Sequence, residues 1–80
     1  MIGKRILVVD DEENLRRVTQ LKLHQAGYEA MTASDGAQAL ELLARNPQDL
    51  VITDLKMPGM SGMELLQAIR EEYPEIVVIV

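Results

Sequence analysis

Three aspartates stand where apolar runs end. Asp10 and Asp11 follow Ile6-Leu7-Val8-Val9, and Asp54 follows Leu50-Val51-Ile52-Thr53. If the two runs are neighbouring parallel strands, their carboxyl ends lie at one edge of a sheet, and three carboxylates from distant parts of the chain converge there. Carboxylates brought so close repel, and a hard divalent cation with oxygen ligands and retained waters relieves the repulsion. Mg²⁺ suits such a set. Each acid also has a plainer use: Asp11 can cap the helix that follows it, and Asp54 can end a strand where the Lys56-Met57-Pro58-Gly59 turn begins. The coincidence favours the site, because acids occupy the carboxyl ends of both runs and no such cluster occupies the opposite ends.

The elements needed to position these acids follow from the pattern of the chain. Ile6-Leu7-Val8-Val9 reads as a buried strand. A helix over about residues 12–26 follows, capped by Asp11, with Leu15, Val18, Leu23 and Ala26 inward, Thr19 and the stem of Lys22 completing that face, and Gly27 stopping it. A second strand covers residues 29–33. Ser34-Asp35-Gly36 starts a helix with Ala39, Leu40 and Leu43 inward, ended at Asn46-Pro47 because proline disfavours helical geometry in the preceding residue. Leu50-Val51-Ile52-Thr53 is the third strand. Ser61-Gly62-Met63-Glu64 matches a capping box and opens a helix carrying Leu65, Leu66 and Ile69 inward, closed at Tyr73-Pro74. Ile76-Val77-Val78-Ile79-Val80 is a fourth strand.

Strands joined through helices are parallel neighbours, so the β-α-β-α-β-α-β pattern predicts an α/β fold, a flavodoxin-like open parallel sheet of strand order 2-1-3-4. Right-handed crossovers place the first helix on one face and the other two opposite. One helix cannot shield four strands, so part of that face and the edge strand at residues 76–80 stay uncovered. Ligands of such sheets bind where the strand order reverses, here between the first and third strands, beside Asp10, Asp11 and Asp54.

Composition narrows the function further. Eighty residues make one small soluble domain, and at this length only about 60% of the unfolded surface is buried on folding. The chain has no cysteine, which excludes disulfides and thiolate metal sites and points to the cytoplasm. Thirteen acids against eight basic residues, with no basic stripe, argue against direct nucleic-acid binding. No apolar run approaches the roughly 20 residues of a membrane span. The single histidine, His24, falls on the outer face of the first helix and has no partner for a catalytic pair. An aspartate-nucleophile phosphatase commonly needs a second acid two residues after the nucleophile, where Lys56 stands.

The runs Val8-Val9-Asp10-Asp11-Glu12 and Asp49-Leu50-Val51-Ile52-Thr53-Asp54-Leu55-Lys56-Met57-Pro58-Gly59-Met60-Ser61-Gly62 resemble the receiver domain of bacterial two-component response regulators, in particular receivers of NtrC-class activators. Gly27-Tyr28 and Ala33-Ser34-Asp35-Gly36-Ala37-Gln38-Ala39-Leu40 extend the resemblance over the whole chain. It implies that Asp54 is the phosphoacceptor, taking a phosphoryl group from a sensor histidine kinase. It further implies that Asp11, Asp54 and the backbone carbonyl of Lys56 bind Mg²⁺ directly, and that Asp10 helps hold the ion largely through water. Pro58 and Gly59 then shape the loop that turns the Lys56 carbonyl, and Met57 and Met60 pack. Such a domain is a signalling module rather than an enzyme.

Receivers also carry a Ser or Thr after the fourth strand and a Lys after the fifth, and neither Lys4 nor Lys56 matches that lysine. The resemblance therefore implies that residues 1–80 are the N-terminal portion of a receiver, without the fifth strand and the fourth and fifth helices. Two expectations follow for these 80 residues: self-association into a homo-oligomer through the open sheet face and edge strand, and weak Mg²⁺ binding with poor or absent phosphorylation.

Overall fold

The computed structural model describes residues 4–54 and 62–80. In it the apolar runs become strands and the periodic segments helices: β1 (Arg5–Val9), α1 (Glu13–Gln25), β2 (Glu29–Ala33), α2 (Gly36–Arg45), β3 (Leu50–Thr53), α3 (Gly62–Glu72) and β4 (Val77–Ile79). The strands form one sheet in the order β2-β1-β3-β4, every pair parallel, as the pattern predicts. Val9 is in register with both Ala33 and Thr53, so the carboxyl ends of β2, β1 and β3 finish flush.

Alternation along the strands builds the core on one face. Leu7, Val9, Ala33 and Val51 are buried beneath Ala39 and Leu43 of α2 and Leu65 and Ile69 of α3. A fully buried Leu or Ile stabilises by roughly 1.5–3 kcal/mol. Leu40 and Leu66, expected inward, are half-buried. Asp35 caps α2, its side chain accepting from the Gln38 amide at 2.8 Å, while Gln38 Oε1 accepts from the Ser34 amide at 2.6 Å. The Ser61 capping box lies outside the described residues.

The other face belongs to α1 alone, and here the structure corrects the expected packing. Leu15 and Val18 are 52% and 49% exposed, Ala26 and Lys22 are exposed, and no residue of α1 is fully buried. Arg16, Thr19, Gln20 and Leu23 are the half-buried residues of the helix. The reason is that α1 lies over β1 and the edge strand β2, and the positions turned toward them are taken by Arg16 and Gln20, whose side chains bond backbone carbonyls there. Gln20 Nε2 donates to the Ala30 carbonyl at 2.8 Å, and Arg16 Nη1 to the Asp10 carbonyl at 2.7 Å.

The ends of α1 also differ in detail. Glu12, not Asp11, holds the N-cap position, and it makes no side-chain cap bond. At the other end Gly27, at φ 95°, makes the left-handed turn, with its amide donating to the His24 carbonyl and the Tyr28 amide to the Leu23 carbonyl. β4 is shorter than expected, because the Ile76 amide bonds to the Tyr73 carbonyl in the preceding turn and Val80 lies past the strand. Val77 and Ile79 are largely exposed, so part of this face is open as anticipated.

Candidate functional site

The last rungs of the sheet position two of the three acids. Asp10 and Asp54 each follow a strand, yet their amides remain in the ladder: Asp10 N–H donates to the Ala33 carbonyl at 3.1 Å, and Asp54 N–H to the Val9 carbonyl at 3.3 Å. Both residues are therefore held at the carboxyl edge of the sheet, where β1 lies between β2 and β3. The β1–α1 turn then presents Asp11 beside them.

One carboxylate oxygen from each of Asp10, Asp11 and Asp54 lies within 4.8 Å of the others. Asp11 and Asp54 are exposed, while Asp10 is half-buried. The Asp10 carboxylate is already engaged, since its Oδ1 accepts from the Glu12 amide at 2.9 Å. That bond sets the turn into α1 and leaves Oδ2 for other partners. Buried Thr53, just before Asp54, donates from Oγ1 to the Asp54 carbonyl at 3.3 Å.

These donors fit a small hard cation. Neighbouring oxygens of an octahedral Mg²⁺ shell are about 3 Å apart and opposite ones about 4 Å. Oxygens within 4.8 Å of one another need little movement to bind directly, or one of them reaches the ion through water. The oxygen-only set also excludes a softer thiolate or imidazole site.

The sequence expectation that Asp10, Asp11 and Asp54 converge is met. Lys56, Met57, Pro58, Gly59 and Met60 lie outside the described residues, so the expected Lys56 carbonyl ligand does too. A hollow of about 440 Å³ lies elsewhere: Arg5 and Glu29, at the starts of β1 and β2, line it with Gln48 and His24. His24 is exposed, as anticipated. Sequence reasoning missed Arg16, whose Nη1 donates to the Asp10 carbonyl at 2.7 Å. Its signal was a cation near the start of a helix, where the dipole disfavours positive charge and a compensating partner is expected.

A family model of the response regulator receiver domain matches residues 6–80, and the chain belongs to that family. It is 38% identical over 71 residues to the alkaline phosphatase synthesis transcriptional regulatory protein PhoP of Bacillus subtilis, covering 89% of this chain and 30% of PhoP. It is 39% identical over 75 residues to the DNA-binding transcriptional regulator NtrC of Escherichia coli, covering 94% of this chain and 16% of NtrC. The crystal structure of response regulator TrrA from Thermotoga maritima, in complex with Mg²⁺-BeF, superposes with a TM-score of 0.92 at 44% identity, over 96% of this chain and 67% of that one. A structure of histidine kinase ThkA in complex with TrrA matches at a TM-score of 0.88 and 44% identity, over 94% of this chain and 65% of that one. The chain thus spans about 30% of PhoP and about two-thirds of the solved structures it matches. No helix among the described residues is long and apolar enough to cross a membrane.

Proposed function

We propose that this chain is a phosphoacceptor in two-component phosphorelay signalling, accepting a phosphoryl group on Asp54 from a phosphohistidine of a sensor kinase, with Mg²⁺ held by the acidic cluster. The observation that carries the reading is the meeting of Asp10, Asp11 and Asp54 within 4.8 Å at the carboxyl edge of the sheet. A carboxylate oxygen of Asp54 attacks phosphorus, the N–P bond to the kinase imidazole breaks with its electrons returning to the ring, and an acyl phosphate forms on Asp54. Bound Mg²⁺ supplies neutralisation of charge on the transferring oxygens.

The chain's own residues do the positioning. Asp54 and Asp11 are the direct ligands, joined in this reading by the Lys56 backbone carbonyl, while Asp10 holds the ion through water and anchors the turn through Glu12. The ladder bonds at Asp10 and Asp54 keep nucleophile and ligands on one rigid edge, so that little ordering remains for the reaction itself. In this reading residues 1–80 supply the acidic part of the site. We place the reaction in the cytoplasm, consistent with the cysteine-free composition. The protein acts as a stoichiometric acceptor rather than a turnover catalyst. Transfer from a phosphorylated kinase, read by intact mass with and without Mg²⁺, tests the reading, and Asp54→Asn abolishes it.

A second reading concerns the 80-residue chain by itself. Val77, Ile79 and Val80 are exposed at an open sheet edge, and an uncovered apolar strand is a template for pairing. This chain therefore self-associates, and light scattering that finds a folded monomer at high concentration contradicts it.

A further inference from the structure

We propose that Arg16 is a positioning residue for the Mg²⁺ site, an inference that rests on the proposed role of the acidic cluster. Arg16 lies in the first turns of α1, half-buried, and its Nη1 donates to the Asp10 carbonyl at 2.7 Å. That carbonyl belongs to the peptide joining Asp10 to Asp11, the two acids supplied by β1. The rest of the turn is held at the Asp10 amide by the Ala33 carbonyl and at Asp10 Oδ1 by the Glu12 amide. Asp11 has no such ladder bond of its own, and α1 begins without a side-chain cap. Arg16 fixes the peptide plane on which the Asp11 carboxylate is carried, while its own amide donates to the Glu12 carbonyl at 3.0 Å and ties it to the same turn.

Charge and placement make opposite predictions here, which makes the role testable. A guanidinium beside three carboxylates repels an incoming cation, so if its charge alone mattered, removing it would tighten Mg²⁺ binding. If Arg16 places Asp11, removing it loosens binding despite the lost repulsion, because groups that orient metal ligands are worth about tenfold or more in affinity.

The experiment titrates Mg²⁺ into wild type, Arg16→Met, which keeps the packing stem, and Arg16→Lys, which keeps a charged donor. Calorimetry reads affinity, and the Asp11 amide resonance is followed in the metal-free protein. The expected result is about tenfold weaker binding in Arg16→Met, substantial recovery in Arg16→Lys and a displaced Asp11 resonance in Arg16→Met before any metal is added. Equal or tighter Mg²⁺ binding in Arg16→Met, or an unmoved Asp11 resonance, overturns the inference. A wild type that takes up no Mg²⁺ overturns the reading of the site instead, and the metal-free resonance then decides whether Arg16 places Asp11. Should Arg16→Met fail to fold, Arg16→Gln carries the same comparison.

Discussion

Replacing Asp11 by Asn should change the stability of the protein in opposite directions with and without Mg²⁺. In the metal-free state Asp11 repels two carboxylates whose nearest oxygens lie within 4.8 Å. At a water-like dielectric each pair at that separation costs about 0.9 kcal/mol, or about 1.7 kcal/mol for the two. Screening at physiological ionic strength, with a Debye length of about 8 Å, roughly halves this to about 1 kcal/mol. Asp11 also stands just before the positive end of α1, and losing that attraction gives back a few tenths of a kcal/mol. No side-chain cap bond is lost, because Asp11 makes none.

The net expectation is a metal-free Asp11→Asn protein more stable than wild type by about 0.5 kcal/mol, a rise of roughly 2–4 °C in Tm. Mg²⁺ at ten times its wild-type Kd then stabilises wild type by about 1.4 kcal/mol and the variant, lacking a direct ligand, by much less, so the order of the two melting temperatures inverts. Thermal unfolding followed by circular dichroism in EDTA and across a Mg²⁺ series measures both. A variant less stable than wild type in EDTA, or one whose melting temperature climbs with Mg²⁺ in parallel with wild type, refutes the reasoning.

Further perturbations probe the scaffold. Asp35→Ala removes the 2.8 Å cap bond to the Gln38 amide and should cost about 1 kcal/mol in urea unfolding. Ile69→Ala opens a cavity under α3 at a residue with no exposed surface, and should cost about 2–5 kcal/mol with an unchanged m-value. Leu15→Glu with Val18→Glu alters exposed positions of α1, the helix that starts beside the acids. Stability should hold within about 0.5 kcal/mol in urea unfolding, because both side chains are exposed; a larger loss would show that they pack against the sheet.

The sheet was largely legible in the sequence because continuous apolar runs bounded by turn residues leave few choices of boundary. The strands at residues 29–33 and 50–53 appear with the expected limits. Convergence of the acids was legible for a topological reason, since parallel strands send their carboxyl ends to one edge whatever the side chains do. The inner face of α1 was not. Treating Leu15 and Val18 as inward assumed that apolar residues choose the face, whereas Arg16 and Gln20 take it by hydrogen-bonding the backbone at Asp10 and Ala30. The same oversight hid the role of Asp10 in the turn, because either of two adjacent aspartates before a helix is equally good cap material until Glu12 N–H is seen to choose Asp10.

The central claim, that Asp54 is a Mg²⁺-dependent phosphoacceptor, is tested most directly by locating the phosphoryl group. The protein is incubated with a small phosphodonor in Mg²⁺ or in EDTA, the acyl phosphate is trapped by reduction, and the modified peptide is sequenced by mass spectrometry. The expected modification is of low yield in these 80 residues, falls at Asp54 alone, occurs only in Mg²⁺, and is absent from Asp54→Asn. Modification at another residue, or labelling of Asp54 that is equal in EDTA, would contradict that claim.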